Sequence, residues 1–205
     1  MGEACHSVEA RRGVAGVFDY YTFVLSWAPS FCRDHPAGNA TRFECRDNRF
    51  GFVVHGLWPE RSKGPWPQYC GDGAPLLAAQ TASLLCTVPS PRLLQCEWRK
   101  HGSCSGLSAE EYLQKLQQLR DIIHIPKEFS ENSDRRIAAA GLAATFTRAN
   151  PALPPAAFVP ICGLSSGMAV FKEMRICFDR DFHAQACPAL PRSSCKGGVL
   201  VPGLR

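Results

Sequence analysis

Residues 96–104 read CEWRKHGSC: a carboxylate (Glu97), an ammonium (Lys100) and an imidazole (His101) stand within five positions, with a cysteine at either end. If the segment is helical, Glu97 and His101 are i and i+4 on one face, Lys100 is i+3 from Glu97, and Trp98 points away toward a core. Alone, such a spacing is best explained as a solvated ion pair. A second segment, VVHGLWP at 53–59, strengthens the case for chemistry. It carries His55 in a strand dense with apolar residues, where an imidazole must find a partner. In a regular strand Val53, His55 and Leu57 share one face and Val54 and Gly56 the other. Gly56 leaves room for a substrate or another backbone. Trp58 offers a flat face on which a base could stack, a contact worth roughly 1–3 kcal/mol. Two histidines, one protonated and one neutral, can act as general acid and general base at mildly acidic pH. Lys100 would meet the negative oxygens of a pentacoordinate phosphorus, and Glu97 would orient a histidine or hold a proton. None of this requires a metal ion or other cofactor.

The elements that must position these groups are legible in outline. Residues 17–27 are aromatic and β-branched and predict a strand; residues 50–57 predict a second, stopped at Pro59, which cannot continue a ladder. A long loop rich in Pro and Gly follows to residue 75, then a short helix over 76–86. Ser108-Ala-Glu-Glu111 is a capping box, after which Tyr112, Leu113, Leu116, Leu119 and Ile123 recur at helical spacing. Residues 134–148 predict a further helix, 151–160 a Pro-rich connector, and 168–178 a strand with Ala169, Phe171 and Met174 inward. Strands, then helices, then strands point to an α+β fold in one domain spanning 1–205.

The chain has 205 residues, 45% of them hydrophobic, which is enough for a full core and argues against global disorder. A net charge of +5 suits a polyanionic partner without demanding one. Eleven widely and irregularly spaced cysteines, with no C-x-x-C pair, favour disulfides in an oxidising compartment over zinc modules, and leave at least one thiol unpaired or bonded to another chain. The first twenty residues lack an apolar stretch of about seven, so no secretory signal is expected there, and an exported protein would be a mature form with an added start. No run of about twenty apolar residues would span a membrane. Asn39-Ala-Thr41 is a glycosylation sequon, relevant only in a eukaryotic secretory host.

His55-Gly-Leu-Trp-Pro59 together with Glu97-Trp-Arg-Lys-His101-Gly-Ser-Cys104 resembles the two active-site segments of the ribonuclease T2 family, the acid endoribonucleases. The resemblance extends through Tyr20–Trp27 and Pro29-Ser-Phe-Cys32 and, at the far end, through MRICFD (174–179), Cys187-Pro and Cys195-Lys-Gly. It implies a central antiparallel β-sheet packed against several α-helices and stapled by disulfides. It implies that His101 deprotonates the ribose 2′-hydroxyl and His55 protonates the departing 5′-oxygen. The product would be a 2′,3′-cyclic phosphate, which water would then open to a 3′-phosphate. Glu97 and Lys100 would stabilise the phosphorane-like transition state; Trp58 would contact the base or ribose upstream of the cut, and Glu60 stands where some relatives place an acidic base-contacting residue. The substrate would be single-stranded RNA, the protein a monomer, and the compartment extracellular, periplasmic or of the vacuolar or lysosomal type.

The resemblance also implies the pairs Cys70–Cys104, Cys162–Cys195, Cys177–Cys187 and Cys32–Cys45. Cys5, Cys86 and Cys96 remain, with Cys86–Cys96 one possible pair. Cys96 departs from the family pattern: many relatives place there a histidine that positions the phosphate, and a neutral thiol would bind phosphate more weakly. Two rivals stand beside the nuclease. Cys96, His101 and Cys104 could ligate a metal, or the scaffold could be a catalytically weakened RNA- or protein-binding effector. His6, His35, His124 and His183 are expected on the surface, and Arg11-Arg12 and Arg135-Arg136 as solvated charges.

Overall fold

A computed structural model of the chain describes residues 13–35, 38–165, 167–188 and 194–204. Among these the strands are β1 (Tyr20–Trp27), β2 (Phe52–Glu60), β3 (Arg135–Ala138), β4 (Phe158–Ser165), β5 (Met168–Phe178) and β6 (Gly198–Val201). They form one sheet in the order β2-β1-β5-β6-β3, with β4 also pairing β5. The sheet is mixed rather than wholly antiparallel, because β5 and β6 meet in parallel at Val170 and Leu200. The helices are α1 (Ala28–Asp34), α2 (Arg42–Cys45), α3 (Ala78–Ser83), α4 (Pro91–Lys100), α5 (Ala109–Ile122) and α6 (Ala139–Ala149). No helix among the described residues is long and apolar enough to cross a membrane.

Period-2 alternation in β1 sends Tyr21, Phe23, Leu25 and Trp27 into the core. There Trp27, Phe52, Phe129, Phe146 and Phe171 form a tilted and edge-on ring cluster, with Trp27–Phe52 centroids 4.9 Å apart. Burying each such side chain contributes about 1.5–3 kcal/mol. The opposite face of β1 carries Tyr20, Thr22 and Ser26, and that is the face on which the candidate site is built.

Two irregularities break the alternation of the neighbouring strands. Val24 pairs with Gly56 and Leu25 with Val54, so His55 is an extra residue, a β-bulge. The bulge re-phases β2: Leu57 joins Phe52 and Val54 in the core, whereas a regular strand would set Leu57 beside His55. His55, Gly56, Trp58 and Glu60 are thereby left on the non-core face. In β5 the pairs Cys162–Phe171 and Ile161–Glu173 skip Lys172, so Phe171 and Met174 both enter the core while Glu173 turns to the other face.

β2 also runs through Pro59 to Glu60 instead of stopping before the proline. It is an edge strand, and a missing N–H on its outer side breaks no ladder. That outer side is capped elsewhere: Val54 N–H donates to the Thr87 carbonyl, Leu57 N–H donates to the buried Tyr112 hydroxyl, and that hydroxyl donates back to the Leu57 carbonyl. Tyr112 is held by α5, which begins at the expected capping box: Ser108 Oγ accepts from Glu111 N–H, and Glu111 accepts from Ser108 N–H.

Several boundaries differ from the sequence pattern. The first strand begins at Tyr20, not residue 17, and the 76–86 helix is reduced to α3. Residues 135–138 pair with β6 as a strand before α6 begins, so Arg135 and Arg136 lie in β3, where Arg135 pairs with Glu131. The Pro-rich 151–160 stretch is a 3-10 turn (155–157) running into β4, whose pairing with β5 carries the sheet across that stretch. His124 and His183 are exposed. His35 is half-buried, stacked on Phe31 at 4.5 Å. Cys5, His6, Arg11 and Arg12 lie outside the described residues.

α4 starts at Ser90, whose Oγ accepts from Leu93 N–H, with Pro91 at the first helical position. Leu94 and Trp98 anchor it in the core. The 61–77 loop is tied back to it: Leu76 N–H donates to Gln95, Trp98 Nε1–H to the Ala74 carbonyl, and Tyr69 N–H to the Lys100 carbonyl. Cys70–Cys104 closes the same contact covalently. Cys32–Cys45, Cys162–Cys195 and Cys177–Cys187 are likewise formed, which are the pairs the resemblance implies. Cys86–Cys96 is not formed, since Cys86 is a free, exposed thiol while Cys96 is itself disulfide-bonded. The double substitution Cys70→Ala/Cys104→Ala, which opens a 34-residue separation, should lower the unfolding free energy by about 2–4 kcal/mol, measured by urea denaturation.

Candidate active site

His55 is buried on the non-core face of β2 with a carboxylate at each ring nitrogen. Glu97 Oε1 of α4 lies 3.4 Å from Nε2, and Glu173 Oε1 of β5 lies 3.3 Å from Nδ1. Ser26 Oγ of β1 is 3.4 Å from the same Nδ1. Glu97 is fixed from its other oxygen by Trp58 Nε1–H at 2.6 Å. Glu173 is fixed from its other oxygen by the Arg175 guanidinium, with contacts of 3.1 and 3.2 Å. Gly56 is the space that makes this possible: a Cβ there would collide with the Glu97 carboxylate and stand 2.7 Å from Trp58 Nε1. What comes close at Gly56 is therefore the carboxylate of α4.

His101 follows the last residue of α4 as its C-cap, with its N–H on the Glu97 carbonyl. The helix and the i, i+4 spacing thus hold to its last turn, and Trp98 is in the core as expected. The His101 ring stacks on Trp58 at 5.1 Å, and His55 meets the same indole edge-on at 5.3 Å. Both imidazoles thus converge on one tryptophan and one glutamate. Trp58 is not a free stacking platform, because His101 covers its ring and the Arg175 guanidinium lies 5.1 Å from its centroid.

Electrostatics drive the two histidines apart. Burial pushes His55 down, but Glu97 and Glu173 outweigh it and raise the ring to about 10. Burial pushes His101 down as well; Lys100 and His55 reinforce this, Glu97 opposes it, and the ring falls to about 4. His101 Nδ1 is buried with no hydrogen-bond partner, a setting that disfavours an imidazolium. For the carboxylates burial works upward, but His55 and the other partners prevail and hold both Glu97 and Glu173 below the usual range. Between roughly pH 5 and 9 the site therefore holds a cationic His55 and a neutral His101, the pairing expected of an acid and a base.

Of the remaining expected residues, Lys100 is half-buried beside His101 and acts on it through its charge. Glu60 lies two positions beyond Trp58, buried, with Oε2 unpartnered; burial raises its carboxyl to about 7 against the pull of Arg175. Glu173, Arg175 and Ser26 were not anticipated. A glutamate inside the apolar run MAVFKEMRICF was the available signal, since a buried carboxylate needs a cation. Cys96, next to Glu97, is not a weakly donating thiol, because its sulfur is oxidised in a disulfide. With Cys104 also bonded to Cys70, the metal-ligand set Cys96–His101–Cys104 does not exist as such. Among the described residues no group of three or more His, Cys, Asp or Glu could hold a metal ion.

The model of the Ribonuclease T2 family matches residues 18–187. A "Probable ribonuclease" of Haemophilus influenzae is 39% identical over 122 residues, covering 54% of this chain and 45% of that protein. A "Ribonuclease" of Aeromonas hydrophila is 41% identical over 111 residues, covering 53% of this chain and 48% of the other. The chain thus matches about half the length of these relatives. The fold is that of RNase NT, solved in complex with 5′-AMP: TM-score 0.72, 20% identity, 92% of this chain and 99% of that one.

Three outcomes test the geometry without reference to turnover. Gly56→Ala should destabilise the protein by about 1–3 kcal/mol in chemical denaturation, because the clashing carboxylate is held at both oxygens and cannot swing aside. In an NMR titration His101 should have its midpoint near 4. Lys100→Met should raise that midpoint, since removing a neighbouring cation eases protonation.

Proposed function

The chain belongs to the ribonuclease T2 family, and on that premise we propose that it is a metal-independent endoribonuclease of single-stranded RNA. The observation that carries this is the convergence of a cationic His55 and a neutral His101 on one indole and one carboxylate. Neutral His101 removes the proton of a ribose 2′-hydroxyl, and the 2′-oxygen attacks the adjacent phosphorus. Lys100 meets the charge that builds on the phosphorane oxygens, while the ionised Glu97 keeps His55 charged. His55 gives its Nε2 proton to the departing 5′-oxygen, leaving a 2′,3′-cyclic phosphate. In the second step His55 takes a proton from water, the hydroxide opens the ring, and His101 returns a proton to the 2′-oxygen, giving a 3′-phosphate. Each acid or base contributes about 10²–10⁴ in rate.

Trp58 serves chiefly as the wall that orients Glu97 and His101, and Glu60 is the acidic group farther along the same face that a base would meet. Binding of 5′-AMP by RNase NT, a protein of the same fold, supports a nucleotide-containing substrate. Every group named comes from one chain, so a monomeric, single-domain enzyme is sufficient. Four disulfides among the described residues and the family membership support a secreted, periplasmic or vacuolar-type oxidising location.

Incubated with unstructured RNA, the protein should generate 2′,3′-cyclic ends detectable by ³¹P NMR, and chelator should not stop it. His55→Ala and His101→Ala should each reduce turnover by at least about 10². RNA that is retarded in a gel but left whole would instead identify a binding protein. The rate should fall on the acid side as His101 takes up its proton and on the alkaline side as His55 loses its own; a rate that climbs without limit toward high pH excludes His55 as the acid.

A further inference from the structure

We propose that Glu173 is a positioning residue for His55: it holds the Nδ1 proton throughout the reaction, so that Nε2 alone exchanges protons with substrate and water. The proposal rests on His55 being the acid of the first step. A carboxylate only accepts hydrogen bonds, so the 3.3 Å contact from Glu173 Oε1 requires a proton on Nδ1. Glu173 is 4% exposed, and its second oxygen is committed to Arg175 at 3.1 and 3.2 Å, which leaves Oε1 for the imidazole. Arg175 itself sits over Trp58, so the guanidinium ties the rear of the site to its wall. Ser26 Oγ, 3.4 Å from Nδ1, completes the rear contact.

The consequence is a fixed tautomer. When His55 passes its Nε2 proton to the 5′-oxygen, the neutral ring that remains carries its proton on Nδ1 and a lone pair on Nε2. That lone pair is the one needed to take a proton from water in the second step, so the ring is reset without rotating. Were the proton on Nδ1 free to leave instead, the lone pair would face Glu173 and the second step would stall. The charges that bear on His55 are Glu97 at Nε2, Glu173 at Nδ1 backed by Arg175, and His101 and Glu44 at longer range.

Glu173→Gln keeps the shape and removes the charge. It should lower kcat at least about 10-fold, with KM unchanged because Glu173 does not reach substrate. Loss of one of two carboxylates makes His55 a stronger acid, so the alkaline limb of the pH–rate profile should move to lower pH while the acid limb, set by His101, stays in place. Glu173→Asp, which keeps the charge, should return the alkaline limb toward the wild-type position. An E173Q enzyme with wild-type kcat and an unmoved alkaline limb would overturn the proposal. The wild-type protein supplies a check that needs no variant and no turnover: ¹⁵N NMR above the His55 midpoint should show the Nδ1–H tautomer, and an Nε2–H tautomer would refute it. If RNA is left whole, the nuclease assignment fails separately, and the tautomer still decides whether Glu173 commands the ring.

Discussion

An imidazolium removed from water is sustained only by opposite charge close at hand, and that requirement organises this molecule. His55 carries one positive charge on a strand that packs directly over the core. Glu97 and Glu173 supply two negative charges, and Arg175 returns the set to neutrality. A charged group buried with one partner missing is strongly destabilising, by about 3–5 kcal/mol. The four groups come from three separate elements, β2, α4 and β5, so their mutual neutralisation couples the helix to two strands. A neutral His101 beside this quartet follows first from its burial, and Lys100 and His55 add to the penalty on a second cation.

The backbone meets the requirement by breaking its own regularity twice. Regular alternation from Phe52 would set Trp58 and Glu60 toward the core, and regular alternation from Phe171 would send Glu173 and Arg175 there as well. One extra residue in each strand, His55 in β2 and Lys172 in β5, reverses the phase so that all the polar groups emerge on one face. The apolar residues on either side, Val54 and Leu57 in one strand and Phe171 and Met174 in the other, still reach the core. Packing and chemistry are thus reconciled by two insertions rather than by a compromise in either.

These insertions also mark the boundary of what could be read from the residues. The strand at 168–178, the capping box at Ser108 and the helix bearing Glu97 were legible because each depends on local spacing. His55, Glu97, Lys100 and His101 were legible as a chemical set. The face assignment of Leu57 was not, because a bulge is fixed by pairing with a neighbour distant in the chain. Nor was the passage of β2 through Pro59, which depends on that strand lying at an edge. The alanine-rich 134–148 segment has helical composition throughout, yet its first residues form a strand because β6, more than sixty positions later, offers a ladder. Glu173 escaped notice for the same reason: its partner lies 118 positions away.

The outer rim of β2 has one more effect. A strand at the margin of a sheet ordinarily presents free amides and carbonyls on which another molecule can zip up, which is how edge-to-edge aggregation begins. Here the Tyr112 hydroxyl and the Thr87 carbonyl already occupy groups along that margin, and Pro59 contributes no donor to it. The segment bearing His55 is thereby denied to intermolecular β-pairing, and colloidal stability is built into the same few atoms that hold the strand in place.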